Sequence, residues 1–315
     1  FFGEDMNLFK KTAFIFCLCF FFITFTISAF AKTVKVNMTA KEMEWKYDNA
    51  GNTQTAFTFD GQVPGRVVRV TEGDTVEFTL INPDENSFPH SMDFHAARVN
   101  VLNEFAPVEP GETKKFSFPA TTPGLFFYHC GAAPMNGHIS RGMFGVIIVD
   151  PKNDTRPKPD REYVLVQSEI YDDPDTLQGP HKHVVFNGRA FRYDPVHDEK
   201  ASGNMLVAKP GERVRIYFAN AGPNQFSAFH PIAGIWDRVY ISGNPKNELF
   251  GVQTYTVGPG DASVFDIISP VEGGNAIVTH SLKGALTGAI AVLLYQNKLT
   301  PEQEKLGKNG NYIVP

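Results

Sequence analysis

Short β-type runs, punctuated by glycine and proline, occupy most of the chain. Val76, Phe78 and Leu80 alternate with polar neighbours, the period-two pattern of a half-buried strand. Comparable runs in the first half are Thr33–Met38, Val67–Val70, Thr75–Ile81, Lys115–Phe118, Leu125–Tyr128 and Phe144–Val149. Those in the second half are Tyr163–Gln167, Arg213–Phe218, Gln253–Val257, Ser263–Ile267, Ala276–Val278 and Ala289–Leu294. No long stretch carries helical periodicity, and regularly spaced short strands predict sandwiches.

The two halves repeat. Glu72-Gly-Asp-Thr-Val-Glu-Phe78 leads to Leu80-Ile-Asn82, and Pro210-Gly-Glu-Arg-Val-Arg-Ile216 leads to Phe218-Ala-Asn220. Each is a glycine turn feeding a strand that ends in Asn, followed by a Pro-His or Phe-His step at His90 and His230. Phe127-Tyr-His-Cys130 has a weaker echo in Val278-Thr-His-Ser281. Between the halves, residues 150–160 form a polar, proline-rich linker. The expected fold is therefore all-β, with two copies of one sandwich over residues 32–155 and 156–297 and an exposed tail over 298–315.

Composition narrows the class. The 315 residues are 42% hydrophobic and 20% charged, enough for full cores, and the net charge of −5 leaves no basic face for nucleic acid. The N-terminus reads as a targeting segment: Met6 as the start with residues 1–5 upstream, then Lys10 and Lys11, an apolar stretch from Thr12 to Phe30, and Ala29-Phe-Ala31. A signal peptide over residues 1–31, cleaved before Lys32, is expected; an uncleaved membrane anchor is the competing reading. Cys17 and Cys19 leave with the signal, so the exported chain keeps only Cys130 and forms no internal disulfide. A lone thiol in an oxidising compartment is a liability unless occupied, and a metal would occupy it; a buried, inert cysteine is the alternative.

The segment from Tyr128 to Gly145 carries the sharpest chemistry. It reads Cys130, seven residues, His138, four residues, Met143. A blue-copper site needs one thiolate, two imidazoles and a weak axial thioether. One loop can present Cys130, His138 and Met143, and His90, after Pro89 at the end of an earlier strand, supplies the second imidazole. Met135 lies in the same loop and is read as a packing or surface methionine.

On a strand His129 points away from Cys130. His95 can join it there, and a pair of histidines on one face suggests a second metal needing a third ligand. His280, the repeat counterpart of His129, is the candidate; a hydrogen-bonded core histidine is the alternative for His129 alone. Three imidazoles leave an open position for water or a small anion. Asp93 lies between His90 and His95 and is placed to act there as a general acid, or to form a turn. His230 is a second candidate proton donor, with a core histidine as the alternative. His181, His183 and His197 read as surface residues.

At this point the chain resembles the copper-containing nitrite reductases, from about Lys32 to Leu294. The motifs that carry the resemblance are Pro89-His-Ser-Met-Asp-Phe-His95, Tyr128-His-Cys130 with His138 and Met143, Phe229-His-Pro-Ile232, and Thr279-His-Ser-Leu282. The resemblance implies two tandem cupredoxin-like Greek-key domains. It implies type 1 copper on His90, Cys130, His138 and Met143, and type 2 copper on His95, His129 and His280. Asp93 and His230 match the family's proton-relay pair, and Ile232 the apolar residue that crowds the substrate. The Cys130–His138 gap is similar to that of the shorter-loop class. The family's homotrimer implies that His230 and His280 come from a neighbouring subunit. The implied reaction is one-electron reduction of nitrite to nitric oxide in denitrification or nitrate assimilation, in the periplasm. With no C-x-x-C-H motif in the chain, the implied electron donor is a separate cupredoxin or c-type cytochrome.

Ile235-Trp236 replaces smaller residues of many members, and Lys283-Gly-Ala285 follows His280, so a reshaped pocket is expected. Three other functions compete. A laccase-type multicopper oxidase needs about eight histidines for its trinuclear cluster, and this chain has nine in all, two of them taken by the blue site. An electron carrier that has lost the type 2 site and a relative acting on hydroxylamine are the others.

Overall fold

The computed structural model describes residues 31–312 except 202, so the expected signal segment lies outside the described residues apart from Ala31. Four sheets stack in layers. The first is β2 (Thr53–Phe59), β1 (Thr33–Lys46), β4 (Thr75–Ile81) and β6 (Thr113–Pro119). The second is β3 (Val68–Thr71), β8 (Phe144–Asp150), β7 (Gly124–His129) and β5 (Asp93–Phe94). The third is β10 (His183–Phe186), β9 (Arg161–Ile170), β12 (Arg213–Gly222), β17 (Asp261–Ile268), β14 (Trp236–Ile241) and β15 (Glu248–Val252). The fourth is β11 (Leu206–Ala208), β19 (Ile290–Tyr295), β18 (Gly273–Thr279), β13 (Ser227–Ile232) and β16 (Tyr255–Val257). Short helices α1 (Val101–Glu104), α2 (Met135–Ser140) and α3 (Leu282–Ala285) sit in the connections, and among the described residues no helix is long and apolar enough to cross a membrane.

The side-chain pattern explains the stacking. In β4 Val76, Phe78 and Leu80 are buried and their neighbours are not, so this sheet has one apolar face, against the second layer. β7 and β8 are apolar on both faces. Tyr128, Ile147 and Val149 enter the core of the first sandwich, while Leu125, Phe127, Phe144, Val146 and Ile148 pack on Val164, Val166, Tyr217 and Tyr240 of the third layer. The second sandwich closes over Phe218, Phe229, Trp236 and Phe265. A shared third core thus joins the sandwiches, because strands buried on both faces read as continuous apolar runs.

The halves share their topology. β1 pairs parallel with β4, and β9 with β12; β3 pairs parallel with β8, and β11 with β19. Register corrects one detail of the repeat. Phe94 lies opposite Tyr128 and Phe229 opposite Thr279, so His230 corresponds to His95 rather than to His90. His280 then corresponds to His129, and each sandwich carries an equivalent histidine pair.

The tail from residue 298 to 312 is mostly exposed or half-buried, and it is also held against β9. Glu162 N–H donates to the Gly307 carbonyl (2.8 Å) and Val164 N–H to that of Tyr312 (2.9 Å). The Arg161 guanidinium caps the Gln303 and Leu306 carbonyls. Arg69 ties linker, sandwiches and tail together through Asp150, Glu162 and the Tyr312 hydroxyl.

Candidate metal centres

β7 ends at His129, and Cys130 follows it. The Cys130 N–H donates to the Met143 carbonyl (3.0 Å), which closes the loop at the start of β8. Between them α2 delivers His138. Gly142 makes the return with a left-handed φ of +101°, where a Cβ would meet Val63 at 2.7 Å. Met143 is fully buried in the same core as Cys130, whereas Met135 is about half exposed at the start of α2.

The first cluster is His90, Cys130 and His138, all buried. Cys130 Sγ lies 3.3 Å from His138 Nδ1 and 4.0 Å from His90 Nδ1, and the two Nδ1 atoms are 3.3 Å apart. His90 Nε2 faces the Glu42 carboxylate at 3.3 Å. A carboxylate only accepts, so Nε2 carries the hydrogen and Nδ1 turns its lone pair toward the thiol. The Ser91 N–H donates to Cys130 Sγ (3.2 Å), and Ser91 Oγ accepts from Gly131 N–H (2.8 Å). The Phe57 ring packs on both imidazoles. Burial lowers the His90 imidazole, opposed by Glu42. Burial, with His90 nearby, pushes His138 down to about 4. Burial raises the Cys130 thiol. Neutral imidazoles beside a thiol costly to ionise alone are a donor set completed by a soft cation.

The second cluster is Asp93, His95 and His129. His129 Nδ1 donates to the Cys130 carbonyl (2.9 Å), so its Nε2 bears a lone pair. That Nε2 faces His95 Nε2 at 3.2 Å, and Asp93 Oδ2 lies 3.8 Å from it. Burial, then His129, lowers the His95 imidazole, while the Gly260 carbonyl in the second sandwich braces it. The two Nε2 atoms and the Asp93 carboxylate converge on one point, so this set also fits a metal.

His280 joins neither cluster within the chain. It lies on the fourth layer beside His230, with ring centroids 5.3 Å apart, and is exposed. His230 Nδ1 donates to the Gln253 carbonyl (2.6 Å) and is 3.2 Å from Thr254 Oγ1. Ile232, 46% exposed, shares the His230 face of β13. The sequence-derived residues therefore fall into three groups: His90, Cys130, His138 and Met143; Asp93, His95 and His129; His230, Ile232 and His280.

Relatives point the same way. A multicopper oxidase family profile matches residues 39–154. A copper-containing nitrite reductase of Neisseria meningitidis is 38% identical over 285 residues, 85% of this chain and 71% of its own. One from Pseudomonas chlororaphis is 31% identical, over 84% of this chain and 79% of its own. The solved copper nitrite reductase of Nitrosomonas europaea is 58% identical with a TM-score of 0.87, covering 90% of this chain and all (100%) of the other. The chain belongs to the copper-containing nitrite reductase family. A solved multicopper oxidase, 22% identical with a TM-score of 0.74, shares the fold alone.

Within that family the Ile235-Trp236 departure has a definite location. Trp236 is fully buried, stacks on Phe229 (5.1 Å, 11°) and donates its indole N–H to the Phe229 carbonyl. It fills the second core, and only Ile235, 59% exposed, alters the surface. Gly284 and Ala285 are buried in α3, with Gly284 against Thr279 and Val184. Of the histidines read as surface residues, His183 bonds the Thr287 carbonyl and His197 the buried Asp194.

Glu42 is the site residue that sequence reasoning missed. It precedes His90 by 48 residues and belongs to no motif. Only the packing of β1 against the 82–90 loop brings it to the imidazole, so no local signal could have named it.

Proposed function

We propose that the chain reduces nitrite to nitric oxide and water, consuming one electron and two protons, with a type 1 and a type 2 copper per chain. His90, Cys130, His138 and Met143 would hold the first; His95, His129 and His280 from a second copy would hold the other. Copper would supply one-electron redox chemistry at both sites and Lewis acidity at the second. The observation that carries this reading is the pair of converging donor sets joined through one peptide unit, Cys130 in one and His129 in the other.

The chain's own groups have separable tasks. Glu42 and the Cys130 carbonyl fix the tautomers of His90 and His129. Asp93, with a side chain 33% exposed, borders the second set and is reachable by a small anion and by water. Its carboxyl would deliver one proton to a nitrite oxygen. His230, its Nδ1 held by the Gln253 carbonyl, keeps Nε2 to pass on the second. Ile232 would limit the space open to the anion.

A site shared between copies is supported by the division of the ligands: two histidines beside Asp93, and an exposed His280 with His230 and Ile232 on another layer; the trimer is what the family resemblance implies. Export to the periplasm rests on the Ala29-Phe-Ala31 signal, and an external cupredoxin or c-type cytochrome donor on the missing haem motif. The test is copper counting and nitrite turnover with reduced dye on the mature protein. Two coppers per chain and nitric oxide release are expected. One copper with no nitric oxide would overturn the reading in favour of an electron carrier.

A further inference from the structure

We propose that Glu42 is a positioning residue that holds the first metal centre in its oxidised form by presenting an anionic acceptor to His90. The inference rests on His90 being a type 1 copper ligand. Glu42 Oε1 gathers three donors: the N–H groups of Ser87 and Phe88, each at 2.9 Å, and His90 Nε2 at 3.3 Å. The same strand is pinned to the loop by Asn86, which donates to the Ala40 carbonyl and accepts from the Glu42 N–H. The carboxylate is therefore fixed by β1 and by the loop that carries His90, and its side chain is only 15% exposed.

Two consequences follow from that contact. The hydrogen bond sets the His90 tautomer, leaving Nδ1 for the metal and making the imidazole a stronger donor. The negative charge, poorly screened beside a buried ring, favours the more positive member of the copper couple. Both effects lower the reduction potential of the site, so electrons leave it for the catalytic centre more readily. A neutral acceptor at this position would set the tautomer but lack the charge.

Glu42→Gln separates the two effects, because its amide oxygen can still accept from Ser87, Phe88 and His90. Reduction potential is measured by redox titration of the thiolate-to-copper absorption in parent, Glu42→Gln, Glu42→Asp and Glu44→Gln proteins. Glu44 lies on the same strand and bonds Thr55, so it controls for charge at a distance. The expected result is an intact band in all four and a Glu42→Gln couple about tenfold easier to reduce, or ~59 mV for one electron. Glu42→Asp should return toward the parent and Glu44→Gln should match it. An unchanged potential in Glu42→Gln, or equal shifts in Glu42→Gln and Glu44→Gln, overturns the proposal while leaving the copper site standing. A parent protein that shows no such band overturns the type 1 reading itself.

Discussion

His129 and Cys130 are adjacent in the chain, yet their side chains enter different clusters. Cys130 Sγ lies 3.3 Å from His138 Nδ1, and His129 Nε2 lies 3.2 Å from His95 Nε2. The alternation of a β-strand separates the two side chains, and one peptide unit joins the two donor sets.

Replacing Cys130 by Ala tests that separation. The variant should lose the thiolate absorption and half of the bound copper, and keep the copper held through His95 and His129. Metal analysis with electron paramagnetic resonance reads both; loss of all copper would contradict two independent sets.

The proposed split of the second site between copies makes a complementation prediction. His280→Ala and His129→Ala proteins should each be inactive, and each should keep the blue absorption. Co-expressed, they should regain part of the turnover, because some interfaces then pair an intact His95–His129 set with an intact His280. A mixture as inactive as its components would show that His280 does not complete the site of a neighbouring copy.

Asp93→Asn preserves shape and removes the ionisable proton. Nitrite turnover should fall by about 10²–10⁴-fold, the range for loss of a general acid. Copper content should be unchanged, and a variant with parental turnover would remove Asp93 from the proton pathway.

Copper-depleted protein should lose stability in acid. Burial holds the folded His138 imidazole at about 4, against 6.5 for the free group, so the unfolded chain binds the proton first. The stabilising contribution is present above pH 6.5 and disappears as pH falls toward 4, on the order of 3 kcal/mol at most. Denaturant unfolding at pH 7 and at pH 4.5 measures it, alongside a His138→Gln control that should lose much of the pH dependence.

Arg215 and Asp266 form a buried bidentate pair in the second sandwich, at 2.7 and 2.8 Å. Arg215→Met should cost about 3 kcal/mol, the low end for a broken buried pair because Arg213 still stands 3.7 Å from Asp266, and Arg215→Met with Asp266→Leu should recover part of it. Thermal unfolding of the two variants distinguishes the unpaired charge from lost packing.

Much of this architecture was legible in the chain. β4, β7, β8, β9 and β12 stand out because their apolar residues either alternate or run unbroken. β13 and β14 did not, since Pro231 and His230 interrupt one and Asp237-Arg238 the other. Their place comes from pairing with β18 and β17, which no local window contains. That the tail after Gln296 is tied down was not legible for a related reason: its carbonyls satisfy β9 and Arg161, and those partners are distant in sequence.

The sequence by itself determined which donor residues lie next to one another, because residue identity and strand alternation are local. One loop spans Cys130 to Met143, and one peptide bond separates Cys130 from His129. Tertiary structure alone decided which histidines meet. It put His95 against His129, kept His280 with His230 on another layer, matched His230 to His95 in the repeat, and brought Glu42 to His90. Those contacts depend on sheet register and layer packing, which are set by burying apolar faces across the whole chain rather than by any one segment.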